Sequence, residues 1–487
     1  MHLGKLATAV LLSTAVAGPA AATTPAIPTP GAQTAGDRVF PGLGNGGYDV
    51  QSYNVAYDYQ PGKTQMASSV DIVAQAKQTL SSFSLDAVAK QVSEVTVNGL
   101  PATFQLDNAK EKLVVTPKVP LLHNLPFRVH IVFAADRALE PHSPNFPELD
   151  HFDHWTDWAG GFELMGQPDR SHLFFPMNDV PSDKARVSFK VTVPSNLQAA
   201  ANGTLQSKQT KGNRTTYVFS TRDPIPTHVA QLAVGHLTEI KGKGPHGLPL
   251  RSYVDSSKAK AAGPRVGLVP DQLRWVEHQL GSKYPFETYG VLGVGGVTGY
   301  ALESATLSMF NVDYLAQPNT QDVATMVHEL IHQYFGNAVS VRTWDDMWIS
   351  EGHASYYSGV YQADKGLVKL DDFMHNAYNF EVENRATYGP PGRPADTLEV
   401  LGGTNAGGLL MLNDVNHVVG AKKFREIEHT FFERYRNKAA STQDYIDVAN
   451  EVSGKDLTAL IKSWIYGKTT PVPLGHPDWA QPAPHQR

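Results

Sequence analysis

The chain has 487 residues, enough for more than one domain and for a sizeable core. Its net charge of −6 and isoelectric point near 6.3 argue against a nucleic-acid or anionic-membrane surface. It contains no cysteine, which excludes thiolate metal ligands and a disulfide scaffold.

Residues 1–22 read as a secretory signal. His2 and Lys5 give a weakly basic start, Leu6 to Ala17 is apolar, and Ala20-Ala21-Ala22 offers a small-residue cleavage site. The alternative is a disordered Ala-rich tail. The apolar run is too short to span a bilayer, and no later run reaches spanning length. The expectation is an exported protein, extracellular or in the cell envelope, without a transmembrane anchor. Residues 23–41 are rich in Thr, Pro and Ala and read as a flexible leader.

Residues 42–243 have a β habit. Tyr53, Val55, Tyr57 and Tyr59 alternate with polar or small residues, and so do the positions around Val187, Phe189, Val191 and Val193. Asn98-Gly99 and Asn202-Gly203 are turn signals, the first marking a hairpin after Val95 and Val97. The expected architecture is an antiparallel domain with one wet face. His151 and His154, near Trp155 and Trp158, read either as lining a cleft or as loop and core residues.

Residues 244–408 follow a Gly/Pro-rich boundary. Leu273, Val276 and Leu280 predict a helix that ends near Gly281. The glycine-rich stretch before Glu303 lacks the lysine of a phosphate loop. Close approach of backbone to a substrate along a strand edge is the better reading. Pro318-Asn319-Thr320 can stop one segment and cap another, with Asp322 in the first turn. Val323, Met326, Val327, Leu330, Ile331 and Phe335 then form a helical stripe, ended by Gly336.

That helix carries His328-Glu329-Leu330-Ile331-His332. Histidines four residues apart project from one helix face, so both imidazoles reach one ion. Glu329 is placed to reach a water on that ion. A third histidine is excluded, because Ala338 stands where the longer zinc signature needs it. Glu351, at the start of a second helix from Ser350 to Asp364, takes the third place. Two His and one Glu leave a zinc position open for water, as a hydrolytic site requires. The motif, its helical setting and a third ligand coincide, which outweighs the reading of ordinary helices. Asp345 or Asp346 is placed to orient a ligand histidine.

Leu370 to Tyr378 is expected to be helical, and Tyr388 to Pro394 a Pro-rich loop. Gly402 to Gly408 opens an apolar helix from Leu409 to Val419. Residues 409–487 read as a helical segment, with helices through Phe424 to Tyr435, from Ser441 to Gly454 and from Leu457 to Tyr466. The Pro-rich end after Pro471 is expected to be poorly ordered.

The stretch H-E-L-I-H-Q-Y-F-G-N, followed by W-D-D-M-W-I-S-E-G, resembles the aminopeptidase N family of gluzincin zinc peptidases. Gly299-Tyr300-Ala301-Leu302-Glu303-Ser304 is similar to that family's glycine-x-methionine-glutamate-asparagine motif, with Leu for Met and Ser for Asn. Phe175 to Pro181 is similar to a segment of the family's amino-terminal domain. The resemblance implies an α+β multidomain protein: an antiparallel β saddle domain, a thermolysin-like zinc catalytic domain and a short helical carboxyl-terminal segment. It implies one Zn²⁺ on His328, His332 and Glu351, with Glu329 as general base. It implies that Glu303 holds the free α-amino group of a peptide, with Gly299 and Ala301 lining the same segment. Gln167 falls where the family places a Gln or Glu near the first residue of the substrate; an ordinary loop glutamine is the other reading.

The chain departs from the family in two places. The family's oxyanion-stabilising tyrosine has no counterpart: anchoring on Gly408 and Gly420 puts Asn405 there. Loss of such a donor typically costs about 10²–10³ in rate. Asn405 could donate instead, or Tyr388 could swing in; Tyr357 and Tyr378 are weaker candidates. The second departure is Ser350 for Asn and His353 for Phe around Glu351; His353 is either a polar group near the metal or a packed side chain. The resemblance implies a zinc aminopeptidase acting on peptides with a free amino terminus. Two alternatives remain: a same-fold zinc protein with little peptidase activity, and an endopeptidase or non-peptide hydrolase on the same metal site. Oligomeric state is not legible in the sequence.

Overall fold

The computed structural model describes residues 27–139, 154–158, 161–296, 301–319, 323–395, 397 and 404–479. The proposed signal at 1–22, His151, Gly299 and the capping residues Thr320 and Asp322 lie outside these.

The amino-terminal part is built from three sheets. The largest has eight strands, in the order Thr204–Lys211, Arg214–Ser220, Arg186–Pro194, Tyr48–Asp58, Gln65–Ala76, Pro126–Asp136, Gln91–Val97 and Leu100–Pro101. All neighbours are antiparallel except Arg186–Pro194 beside Tyr48–Asp58. The period-two pattern decides which face is buried: Tyr53, Val55, Tyr57, Val187, Phe189, Val191 and Val193 all point into the core. Asn98 and Gly99 both take positive φ, which permits the tight turn between Gln91–Val97 and Leu100–Pro101. Two four-stranded sheets pack alongside. One contains Trp155–Trp158, Gly161–Leu164, Leu232–Gly235 and Gln198–Ala201.

Asn202-Gly203 is not an exposed turn. Asn202 is buried, and its amide donates to the carbonyls of Val229 (3.0 Å) and Ala305 (2.7 Å). The turn thus ties the β region to the segment just after Glu303.

A five-stranded mixed sheet follows: Leu237–Lys243, Pro249–Asp255, Val291–Val294, Ser308–Asn311 and, at its edge, Ala301–Leu302. The strand-edge expectation for the residues before Glu303 holds. The helix Val269–Leu280 ends at Gly281 in the left-handed region. Helices Ala324–His332 and Trp348–Asp364 pack together beneath this sheet edge.

Several expectations need correction. The helix from Leu370 runs on to Tyr388, because nothing before Gly389 breaks it and Arg385 is held against Glu381 one turn back. Tyr388 therefore ends a helix rather than opening a loop. Gly407 and Gly408 lie inside the helix Thr404–Val419. A side-chain carbon added at Gly352 would stand 2.8 Å from Gly408 Cα, so these glycines let two helices touch backbone to backbone. The chain after Pro471 is not loose up to Trp479. Asp414 accepts from the Leu474 amide at 2.9 Å, and Trp479 stacks on His375 and His476. Residues 27–41 of the expected leader are also docked. Thr29–Pro30 pairs with the strand Leu80–Asp86, Phe40 is buried against Trp344, and Arg38 forms an ion pair with Asp345. Among the described residues, no helix is long and apolar enough to cross a membrane.

Candidate active site

The motif helix Ala324–His332 buries Met326, Val327, Leu330 and Ile331, which leaves His328, Glu329 and His332 toward the sheet edge and the next helix. The two imidazole centroids are 4.6 Å apart. Glu351, one turn into Trp348–Asp364, brings Oε2 to 3.4 Å from His328 Nε2 and 3.7 Å from His332 Nε2. One ligand atom from each of the three lies within 4.8 Å of the others.

The second ring nitrogen of His332 explains its orientation. Ser350 Oγ donates to the Phe335 carbonyl at 3.2 Å, which leaves that oxygen to accept from His332 Nδ1–H at 2.8 Å. This fixes the tautomer with a bare Nε2 facing Glu351. Burial pushes the His332 pKa down to about 3, so the ring is neutral as a ligand must be. Gly336 makes room for the arrangement, since an added carbon there would lie 2.4 Å from Ser350 Oγ.

Ser350 thus does the work expected of Asp345 or Asp346. Asp345 instead pairs with Arg38, and Asp346 accepts from Thr442 and Thr343. The turn that connects the two helices gives both carboxylates other partners. His353 is a packed side chain. It stacks on Phe335 at 4.1 Å, gives its Nδ1 to the Ile349 carbonyl at 2.7 Å and sets Nε2 3.0 Å from the buried Glu428.

Glu329 is buried, and its Oε2 has no hydrogen-bond partner among the described residues. Burial first, then the neighbouring Glu303 and Glu351 carboxylates, pushes its pKa well above the ordinary carboxylate range. A carboxyl atom of Glu303 lies within 4.8 Å of Glu329 and His332 ligand atoms. Gln167 donates from Nε2 to Glu303 Oε1 at 2.9 Å, so the loop glutamine does meet the site. Burial raises the pKa of Glu303, and the Gln167 bond works against that rise. Ala301 is half-buried on the edge strand. In register with Glu303, the glycine of the motif falls at Tyr300, so Gly299 stands one residue out of step.

Asn405 sits half-buried in the first turn of Thr404–Val419, with its Oδ1 unpartnered. Among the described residues, no hydrogen bond joins Asn405 or Tyr388 to the histidines or the three glutamates. Tyr357 reaches toward Glu428 in the core, and Tyr378 packs near Trp479. His154 is also a core residue, its Nδ1 at 2.8 Å from the Met165 carbonyl. Sequence reasoning missed the parts played by Gln333 and Asn337, although both stand within the quoted motif stretch. Each donates to the Glu303 carbonyl.

Two imidazoles, one carboxylate and an adjacent carboxyl group with one unpartnered oxygen fit a hydrolytic zinc ion in donor type, number and spacing. The donor set is that of a hydrolytic zinc site. Residues 266–464 match the peptidase family M1 domain. The chain is 25% identical over 318 residues to glutamyl aminopeptidase of Rattus norvegicus, covering 61% of this chain and 33% of that protein. It is 23% identical over 322 residues to aminopeptidase M1-D of Oryza sativa subsp. japonica, covering 61% and 36%. The chain thus spans about a third of the length of these curated relatives. The crystal structure of an M1 zinc metallopeptidase from Deinococcus radiodurans superposes with a TM-score of 0.80 at 26% identity. That match covers 91% of this chain and 98% of the other. Residues 266–464 thus carry the peptidase family M1 domain, and the chain shares its fold with M1 zinc metallopeptidases.

Proposed function

We propose that this protein is a zinc aminopeptidase that hydrolyses the first peptide bond of peptides with a free amino terminus. The observation that carries the reading is the pairing of two sites. A His328–His332–Glu351 set lies beside Glu329, and Glu303, hydrogen-bonded by Gln167, has a carboxyl atom within 4.8 Å of ligand atoms of Glu329 and His332. A carboxylate set opposite an ammonium makes a hydrolase read chain ends. The M1 structure from Deinococcus radiodurans bound to a Tyr-Ser-Ala substrate supports a peptide as the ligand class.

His328, His332 and Glu351 would hold the zinc, which when bound polarises the scissile carbonyl and lowers the pKa of a water. Glu329 Oε2, dry and unpartnered, takes the proton of the attacking water and passes it to the leaving amine. Glu303 Oε1 is turned by Gln167, and the carboxylate accepts from the substrate α-ammonium. Asn405 Nδ2 is assigned as the donor to the developing oxyanion in place of the missing phenol. Residues 1–22 are assigned as an export signal, tested by sequencing the amino terminus of the mature protein.

The test is a panel of aminoacyl fluorogenic substrates, run with and without a chelator and beside acetyl-blocked peptides. Chelator-sensitive turnover of free substrates, with blocked ones untouched, is the expected result. Equal cleavage of both overturns the role given to Glu303. No turnover in zinc-loaded protein favours a same-fold binding protein.

A further inference from the structure

Glu303 is held at both ends. Its side chain meets Gln167, as above. Its backbone carbonyl accepts two further bonds: from Asn337 Nδ2 at 2.6 Å and from Gln333 Nε2 at 2.9 Å. Both donors come from the turn that leaves the motif helix, and both are fully buried. Gln333 also accepts from the Thr306 amide at 2.8 Å, so it grips the bend after Glu303 on two sides. Thr306 has φ of +65°, an unfavourable conformation for a β-branched residue, and the surroundings hold it there. Asn337 is itself pinned. Lys184 Nζ, from the β region, donates to the Asn337 carbonyl at 2.7 Å and to the Ala338 carbonyl at 2.6 Å.

One donor satisfies a buried carbonyl. Two donors on one rigid turn, one of them anchored by the half-buried Lys184 side chain, do more: they fix where that carbonyl stands and which way it points. The turn continues directly from His332. The carbonyl belongs to the residue whose carboxyl faces Glu329. The connection from His332 to Glu303 thus runs through a single side-chain hydrogen bond by either donor.

We infer that Asn337 and Gln333 are positioning residues that set the distance between Glu303 and the metal ligands, with Lys184 anchoring Asn337 from the amino-terminal side. This rests on the aminopeptidase reading. A peptide that spans the two points has a fixed length from α-nitrogen to first carbonyl. Misplacing a reacting group by an ångström can cost about 10²-fold in rate.

The test compares two metal-binding probes, an aminoacyl hydroxamate and its des-amino analogue, on zinc-loaded wild type, Asn337→Ala and Lys184→Met. The affinity ratio of the two probes reads amine recognition apart from metal binding and chemistry. In Asn337→Ala the expected outcome is stoichiometric zinc, unchanged affinity for the des-amino probe, and a preference for the amino probe reduced at least about tenfold. Lys184→Met, which leaves both donors in place, should show a smaller fall in the same ratio and serves if Asn337→Ala does not fold. An unchanged ratio in the folded variants, or equal loss of both probes, overturns the inference. A wild type that binds both probes equally overturns the aminopeptidase reading itself.

Discussion

Glu163 offers a test of what burial does to a carboxyl group in this fold, and it needs no substrate. It lies on the strand Gly161–Leu164, 2% exposed, with Oε2 unpartnered among the described residues. Its other oxygen is pressed against the backbone at Gly296, where an added carbon would come within 2.2 Å. Burial alone pushes its pKa up to about 8. The unfolded chain releases this proton near 4.5, the ordinary value. Between those two pH values the folded state binds more protons, so rising pH costs stability. At roughly 1.4 kcal/mol per pH unit, the native protein forfeits about 3 kcal/mol by pH 7 relative to pH 4.5, and the loss levels off above pH 8. Glu163→Gln keeps the shape and removes the titration. The variant should match wild type near pH 4 and exceed it by about 3 kcal/mol at pH 7. Urea unfolding of both proteins across pH 4–9 measures the difference. A difference that does not grow between pH 4.5 and 8, or a variant destabilised throughout, refutes the argument that Glu163 is a dry, uncompensated acid.

Three further outcomes are expected. Glu329→Gln should retain zinc, by metal analysis, while turnover falls by about 10²–10⁴; full activity would remove Glu329 from proton transfer. Asn405→Ala should lower kcat by about 10²-fold with little change in KM, and Tyr388→Phe should not; the reverse pattern would move the oxyanion role to Tyr388. His353→Phe keeps the stack on Phe335 but removes the ring nitrogen that stands 3.0 Å from Glu428 Oε2, leaving the Tyr445 and Tyr357 hydroxyls. Leaving a buried polar group short of a partner costs about 1–3 kcal/mol. Adding Glu428→Gln should recover most of that loss in a double-mutant cycle, and additive losses would show the two groups to be uncoupled.

What was legible in the sequence follows a physical pattern. Features set by local repetition read well. The period-two strands, the Asn98-Gly99 turn, the helix stop at Gly281 and the four-residue histidine spacing all encode their geometry within a few residues. Contacts made across the fold did not read. Ser350 reaches His332 only because two helices cross, and its nearness to Glu351 in sequence says nothing of it. The tail after Pro471 has the composition of a loose end, yet Trp479 finds two imidazole faces and stays. Gly407 and Gly408 look like helix breakers and sit inside a helix, because Pro391 and Glu381 press against Gly407, and Gly352 against Gly408.

That last contact bears on the oxyanion position. Gly352 follows Glu351 directly, and Gly408 touches it. Asn405 lies three residues before Gly408 on the same helix, hence about one turn, or roughly 5 Å, along its axis. The helix that presents Asn405 is thus seated by a glycine contact immediately beside a metal ligand. Tyr388 ends a different helix, with no comparable tie to Glu351. A substitution that widens the Gly352–Gly408 contact would shift Asn405 and Glu351 relative to one another. The backbone that carries Asn405 is therefore seated against the backbone that carries Glu351.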